Sequence, residues 1–251
     1  MKSPIATMAK VLPLLLVSVL AVPRNSFALG QERYVEDVPR RGSFPIVQGD
    51  AAATICVDSS DFAGVIRAAN DLKTDIARVT SLSPAISHEG KDPGENVIIV
   101  GTLGTSQIVD QLIREKKIDV SEIAGQWESF FIQVVPNPLP GVARGLVICG
   151  SDKRGTIYGI YDLSEEIGVS PWYFWADVAP AHQSALFVKP GKFVQGPPSV
   201  KYRGIFLNDE APDLSNWILS KFGTVTPGTN PPIPPGVANY GRQFYTNLFE
   251  L

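Results

Sequence analysis

The stretch Val97-Ile-Ile-Val-Gly-Thr-Leu-Gly104 is an unbroken apolar run that ends in two closely spaced glycines. A short apolar run bounded by turn residues is typical of a strand that is buried on both faces of a sheet. The residues that follow predict an amphipathic helix, because its apolar positions share one face: Ile108, Val109, Leu112 and Ile113. A buried strand that leads directly into such a helix is the repeating unit of an α/β fold.

The same alternation recurs on both sides of this stretch. Apolar runs predict strands at 53–57, 130–135 and 145–149, and helical stripes predict helices at 61–80 and 154–167. Ser60 or Asp61 is available as the N-cap of the first of these helices. Together these elements predict an α/β layered domain that covers residues 29–195.

Residues 1–28 have the features of a secretory signal. Lys2 and Lys10 precede an apolar run at 11–22 that is too short to span a bilayer comfortably, and Ser26-Phe-Ala28 provides small residues for signal peptidase. We expect cleavage after Ala28 and a secreted, extracellular protein that has no membrane contact after cleavage. An N-terminal membrane anchor is the alternative.

The composition excludes several classes of protein. Hydrophobic residues make up 44% and charged residues 19% of the 251 residues, which is ordinary for a globular chain and excludes a disordered or fibrous one. The net charge is −3, and no long basic block occurs, so a nucleic-acid partner is not expected. Two histidines and two cysteines do not suggest a metal site. Export permits a Cys56–Cys149 disulfide, and two buried thiols are an equal alternative.

Two loops that follow strands have both a structural and a functional interpretation. Gly101-Thr-Leu-Gly104 opens a helix and could hold a phosphate, but it matches no nucleotide-binding motif, so a tight turn is favoured and no cofactor is expected. Ser151 or Asp152 can cap the helix that follows them. The neighbouring Lys153 and Arg154 can instead bind the carboxylate of a substrate.

An aromatic run, Pro171-Trp-Tyr-Phe-Trp175, lies shortly before a segment rich in Gly and Pro at 189–200. Exposed Trp and Tyr rings are good stacking surfaces for sugars, because the C–H faces of a pyranose are apolar. Packing between domains is the alternative use of these rings. The Gly/Pro-rich segment indicates a domain boundary between residues 195 and 196.

Residues 196–251 contain the elements of an incomplete domain. A strand is predicted at 202–207, followed by the polar cluster Asn208-Asp-Glu210, a short helix at 214–221 and a second helix from about Gly241 that is still running at Leu251. One strand cannot close a core, so we expect the chain to stop within this domain. Acids at the carboxyl end of a strand line the active site in a β/α barrel, whereas a helix cap or a salt bridge is the alternative.

Three motifs, taken together, resemble the start of the family 115 glycoside hydrolases, which are secreted xylan α-1,2-glucuronidases. The motifs are Ser151-Asp-Lys-Arg-Gly-Thr-Ile-Tyr-Gly-Ile-Tyr-Asp-Leu-Ser-Glu165, Gly168-Val-Ser-Pro-Trp-Tyr-Phe-Trp-Ala-Asp177 and Lys201-Tyr-Arg-Gly-Ile-Phe-Leu-Asn-Asp-Glu-Ala-Pro212. The resemblance implies a leading α/β domain, followed at 196–251 by the first strand and helix of a truncated β/α barrel. The Pro-rich loop at 226–236 departs from the tighter loop expected there.

The resemblance also implies a reaction, which is the inverting removal of (4-O-methyl)glucuronic acid from glucuronoxylan without a metal or cofactor. Inversion uses two carboxyl groups roughly 6.5–9.5 Å apart. Matched to the motif of the first barrel strand, Asp209 is the expected catalytic residue and Asn208 and Glu210 are expected to bind substrate. Lys153 and Arg154 are further candidates for substrate binding.

We expect the 251-residue chain alone to be inactive, because most of the barrel would be missing. Apolar surface left exposed by an incomplete barrel is expected to promote association into a homo-oligomer. The alternative function is a non-catalytic carbohydrate-binding α/β module that uses Trp172, Tyr173 and Trp175.

Overall fold

The computed structural model describes residues 33–88, 94–173, 176–204 and 213–223. The predicted signal at 1–28, the cluster Asn208-Asp-Glu210 and the predicted helix from Gly241 lie outside the described residues. Within the four described ranges, none of the helices combines the length and the apolar character that a membrane span requires.

The described residues form ten strands and four helices. In chain order these are β1 (Val35–Glu36), β2 (Phe44–Gln48), β3 (Ala51–Ala52), β4 (Thr54–Val57), α1 (Ala63–Thr80), β5 (Ile86–Ser87), β6 (Asn96–Thr102), α2 (Gln107–Arg114), β7 (Phe130–Pro136), β8 (Arg144–Gly150), α3 (Lys153–Glu166), β9 (Leu186–Val188), β10 (Lys192–Gln195) and α4 (Asp213–Phe222). The strands and helices that were predicted between residues 53 and 167 are confirmed to within a few residues.

A six-stranded mixed sheet forms the centre of the fold, in the order β10-β7-β8-β6-β4-β5. Strands β5, β4, β6 and β8 are parallel, and β7 and β10 join the other edge in antiparallel pairing. The predicted α/β class is confirmed. The central strands are continuous apolar runs because both of their faces are covered.

Successive residues of each strand enter two different cores. In β6, Ile98 and Val100 face a core shared with α1, α3 and a small antiparallel sheet of order β1-β9-β2-β3, whereas Val97 and Ile99 face a core shared with α2. This alternation follows from the two-residue period of a strand. Both faces of the large sheet are therefore covered.

The two cysteines lie in the second core. Cys56 and Cys149 are buried thiols that are not joined by a disulfide. Burial raises the pKa of Cys149 to about 12, so this thiol stays protonated and unreactive at neutral pH. Of the two alternatives that the sequence left open, the structure shows the buried thiols.

Helix α1 buries the predicted apolar stripe, but its predicted cap is wrong. The N-cap residue is Phe62, and no side chain within the described part of the chain caps this helix. The Asp61 carboxylate instead accepts hydrogen bonds from the backbone N–H groups of Phe62 and of Thr102, both at 2.7 Å. Asp61 therefore binds β6, which is distant in sequence, and does not cap α1 as the local sequence predicts.

The sequence did not predict the small sheet or β10. Strand β10 lies inside the Gly/Pro-rich segment 189–200 and pairs with β7, with Lys192 opposite Gln133 and Gln195 opposite Phe130. The strand predicted at 202–207 is not formed over its described part, 202–204. The helix predicted at 214–221 is confirmed as α4.

We predict that Gly155→Ala destabilises the fold. A Cβ at residue 155, in the first turn of α3, would lie 2.3 Å from the Ser129 carbonyl oxygen. Ala normally favours a helix over Gly. Here the steric overlap should outweigh that preference. The variant should then have a free energy of unfolding that is lower by about 1–3 kcal/mol in urea denaturation. Gly196→Ala is the control, since a Cβ there meets nothing within 4 Å. Equal stability of the two variants would contradict the close packing at Gly155.

Candidate functional site

The start of α3 is joined to the start of β7 through one carboxylate. Asp152 is the N-cap of α3, and its Oδ1 accepts a hydrogen bond from the Gly155 N–H at 2.8 Å. Its Oδ2 accepts from the Glu128 N–H at 2.8 Å, and the neighbouring Ser151 Oγ accepts from the Ser129 N–H at 3.0 Å. The cap interpretation of this loop is therefore confirmed.

The Glu128 carboxylate binds two guanidinium groups, and we call Glu128, Arg154 and Arg203 the Glu128 clamp. Arg154 Nη1 donates to Glu128 Oε1 at 2.7 Å, and Arg203 Nη2 donates to Glu128 Oε2. Glu128 is only 6% exposed, and a carboxylate this buried requires paired cations. The hydrogen bond with Glu128 is the main cause that raises the pKa of Arg203, which therefore stays charged.

Arg203 also contacts two aromatic residues. Its Nη2 donates to the Tyr158 hydroxyl at 2.9 Å, and its guanidinium carbon lies 5.7 Å from the centre of the Tyr158 ring and 5.9 Å from that of Trp127. Arg203 precedes Asn208 by five residues. The clamp therefore ties the segment that leads to Asn208 to the α/β domain.

The structure brings two of the predicted site residues together at the first turn of α3. Lys153 is exposed, and Arg154 is part of the Glu128 clamp with 61% of its side chain exposed. Their role in substrate binding stays a prediction. Asp209, Asn208 and Glu210 lie outside the described residues.

A cavity of about 600 Å³ lies between α1 and α3 and ends at the Glu128 clamp. We call it the α1–α3 cavity, and its volume is within the usual range for ligand sites. It is lined by Asp71, Thr74, Asp75, Arg78, Glu128, Phe130, Tyr158, Tyr161, Asp162, Ser164, Glu165, Val169, Ser170, Pro171, Tyr173, Gln195, Pro198 and Arg203.

Two half-buried acids of this cavity accept hydrogen bonds from tyrosine hydroxyl groups. Asp162 Oδ2 accepts from the Tyr34 hydroxyl at 2.7 Å, and burial, aided by the charges of Glu166 and Glu165, raises the pKa of Asp162. Asp71 Oδ2 accepts from the Tyr161 hydroxyl at 2.8 Å. The cavity wall therefore pairs carboxylates with phenol hydroxyls as well as with guanidinium groups.

Asp75 is the most buried acid on the α1 side of the cavity. Its carboxylate receives a hydrogen bond from Arg78, and burial still raises its pKa. In the described residues no group of three or more His, Cys, Asp or Glu side chains is placed to hold a metal ion. The acids of the cavity therefore form a hydrogen-bonding surface.

The aromatic run is divided between the surface and the cavity. Trp172 is 62% exposed, whereas Tyr173 lines the α1–α3 cavity with the Arg78 guanidinium 4.2 Å from the centre of its ring. Phe174 and Trp175 lie outside the described residues. One ring of the run is thus exposed at the surface, and another is part of the cavity wall.

The Gly101-Thr-Leu-Gly104 loop is a tight turn, as favoured. The Gly104 N–H donates to Asp110 Oδ1 at 3.1 Å, and the Gln107 N–H at the start of α2 donates to Asp58 Oδ2 at 2.9 Å. A Cβ at Gly101 would meet Ser106 Oγ at 2.5 Å, so this glycine permits close packing of α2 on β6. Carboxylates of the chain accept hydrogen bonds from the N–H groups that a phosphate would need.

Sequence reasoning missed Glu128 and the cavity acids. Glu128 stands two residues before the buried strand β7, with a positive φ of 51°. The signal available in the sequence was a charged residue next to Trp127, shortly before a predicted buried strand. Asp71 and Asp75 were not singled out, because the packing of α1 against α3 is not visible in local sequence.

Comparison with known proteins agrees with the resemblance drawn from the motifs. Residues 195–251 match the model of glycosyl hydrolase family 115. The solved structure of BtGH115A, described as a novel family GH115 4-O-methyl-α-glucuronidase with specificity for decorated arabinogalactans, aligns with 32% identity and a TM-score of 0.60. The alignment covers 73% of this chain and 22% of BtGH115A, so the chain spans about a fifth of that protein.

Other comparisons add little. Two mutants of the Streptomyces plicatus β-hexosaminidase, both in complex with the product GlcNAc, align with 13% identity and a TM-score of 0.37, over 62% of this chain and 23% of theirs. This likeness is too weak to carry an argument. No curated protein matches the chain. The predicted resemblance to family 115 is confirmed by the family match and by BtGH115A.

We predict that Asp162→Asn stabilises the protein at neutral pH. The raised pKa of Asp162 means that the folded state binds its proton more tightly than the unfolded state does. Stability is therefore lost as the pH rises from the ordinary value of 3.8 through the raised folded pKa. The amide oxygen of Asn still accepts the Tyr34 hydroxyl and carries no charge to desolvate.

The measurement is the thermal midpoint of unfolding between pH 4 and pH 7. The difference in midpoint between Asp162→Asn and the native protein should grow across this range. Asp50→Asn, in the exposed turn between β2 and β3, is the matched control and should follow the native curve. Parallel curves for all three proteins would contradict the burial of an ionised Asp162.

Proposed function

Because the chain is related to glycoside hydrolase family 115, we propose that it is the N-terminal part of a secreted α-glucuronidase. The observation that carries the proposal is the family match at 195–251, which begins at Gln195, the last residue of β10 and of the α/β sheet. This coincidence supports a boundary between residues 195 and 196. In the proposal, residues 1–28 are a signal, 29–195 are the α/β domain and 196–251 begin a β/α barrel.

The proposed reaction is the inverting hydrolysis of α-1,2-linked (4-O-methyl)glucuronic acid side chains of xylan. Asp209 supplies one of the two carboxyl groups, with Asn208 and Glu210 beside it as substrate-binding groups at the end of the first barrel strand. The second carboxyl group comes from another barrel strand. BtGH115A is described as specific for decorated arabinogalactans, so an acidic arabinogalactan is the second substrate to test.

Lys153 and Arg154 are proposed to bind the carboxylate of the uronic acid. Arg154 uses one N–H group for Glu128, which leaves further donors of its guanidinium for a ligand. The exposed Lys153 stands beside it and adds a second cation. The Glu128 clamp supports this role, because it fixes the direction of the Arg154 side chain and holds Arg203 near the segment of Asn208.

We predict that the 251-residue chain releases no glucuronic acid from glucuronoxylan. A barrel of this kind closes with about eight strands and as many helices, and residues 196–251 are too few to supply them. A longer chain that completes the barrel should be active. In that longer chain, Asp209→Asn should lower the rate by about 100-fold or more, as expected for loss of an acid/base or positioning carboxylate.

The assay measures uronic acid released from glucuronoxylan and from acidic arabinogalactan. Asp50→Asn in the longer chain is the control, since Asp50 lies in an exposed turn of the α/β domain, and it should keep full activity. Turnover by the 251-residue chain would contradict the incomplete-barrel proposal. Full activity of Asp209→Asn would remove Asp209 from the site.

A second candidate function is a non-catalytic carbohydrate-binding α/β module. The exposed Trp172, with 62% of its surface accessible, favours it as a stacking group for a sugar ring. Titration of the 251-residue chain with xylan fragments tests this function through tryptophan fluorescence. Quenching that is lost in Trp172→Ala would support a surface platform, and quenching that persists in this variant would place the sugar elsewhere.

A further inference from the structure

We propose that the α1–α3 cavity binds a short segment of a neutral glycan, apart from the residues proposed for catalysis. The described residues that line the cavity all precede Asn208 in the chain. The site therefore goes beyond the proposed hydrolysis, and binding in it does not require a complete barrel.

The walls of the cavity suit a sugar ring. Tyr158, Tyr161 and Tyr173 line it together with Phe130 and Pro171, and the volume of about 600 Å³ is that of a ligand site and not of a packing defect. Aromatic faces bind the apolar C–H faces of pyranose rings. Phenol hydroxyl groups can form hydrogen bonds with the hydroxyl groups at the rim of the same rings. The cavity offers both kinds of contact within one space.

The charges of the cavity select against an anionic ligand. Five carboxyl groups line it (Asp71, Asp75, Glu128, Asp162 and Glu165), against two guanidinium groups. Arg78 is bound to Asp75 and Arg203 to Glu128, so the two cations of the wall offset only two of its five carboxyl groups. A uronic acid would meet uncompensated negative charge, whereas the hydroxyl groups of a neutral sugar can donate to these carboxylates.

The acids that remain already accept from hydroxyl groups. Asp71 is bound by the Tyr161 hydroxyl and Asp162 by the Tyr34 hydroxyl. A carboxylate has about four lone-pair sites, so each can accept further hydroxyl groups from a ligand. The described residues contain no cluster that would hold a metal ion, which leaves hydroxyl-rich ligands as the better fit.

A buried hydroxyl on the wall lies beside Asp75. Ser164 is 3% exposed and lines the cavity, and its hydrogen bond to the Asp75 carboxyl opposes the rise in the pKa of Asp75 that burial causes. A hydroxyl has two acceptor lone pairs besides its one donor, so Ser164 can also accept a hydrogen bond from a ligand hydroxyl.

The test is isothermal titration calorimetry of the 251-residue chain with four probes. These are neutral xylo-oligosaccharides, neutral galacto-oligosaccharides, free glucuronic acid and glucosamine. We expect one or both neutral series to bind with a dissociation constant of about 1 mM or tighter, and the two charged probes to bind at least about tenfold more weakly. The choice between the xylose and the galactose series identifies the polysaccharide.

Two variants locate the bound sugar. Asp71→Asn removes a charged acceptor from the cavity while keeping a partner for Tyr161, and it should weaken binding by about fivefold or more. Trp172→Ala and Tyr202→Ala remove exposed rings that do not line the cavity, and both should bind as the native chain does.

The proposal is overturned if neither neutral series binds, if only a charged probe binds, or if Trp172→Ala abolishes binding while Asp71→Asn does not. None of these results bears on glucuronic acid release by the longer chain.

Discussion

The two oxygens of the Asp152 carboxylate hold together the parts of the molecule on which the site depends. One oxygen caps α3 through Gly155, and the other binds the N–H of Glu128, whose backbone has the left-handed φ of 51° that few residues adopt. Gly155 lets α3 approach Ser129 closely enough for both bonds to form. Because Glu128 is fixed in this way, its carboxylate can bind Arg203 and close one end of the α1–α3 cavity.

Local sequence predicted the central part of the fold and not its edges. Strands β4, β6 and β8 are apolar throughout because both faces are covered, and the helices keep clear stripes, so their patterns identify them directly. Strands β1 and β9 have two and three residues, and the residues with which they pair lie far away along the chain. Strands this short carry no periodic signal, and tertiary pairing decides them.

The residues of the candidate site could be predicted only where they belong to a sequence motif. Lys153 and Arg154 follow a strand at a helix start, and the structure places them there. The α1–α3 cavity joins Asp71 and Asp75 on α1 with Asp162 on α3, which are about ninety residues apart and look like solvated helix faces when read alone. Packing of two helices on one sheet creates that site, and no single segment encodes it.

The most direct test of the claim that Glu128 holds the segment leading to Asn208 is the relative rate of trypsin cleavage after Lys201 and after Arg203. The two sites share the same flanking chain, and only Arg203 must leave Glu128 before the protease can bind it. Mass spectrometry should show slower cleavage after Arg203 in the native protein, similar rates at both sites in Glu128→Gln, and retained protection of Arg203 in Arg154→Gln. Equal rates in the native protein, unchanged by Glu128→Gln, would contradict the account.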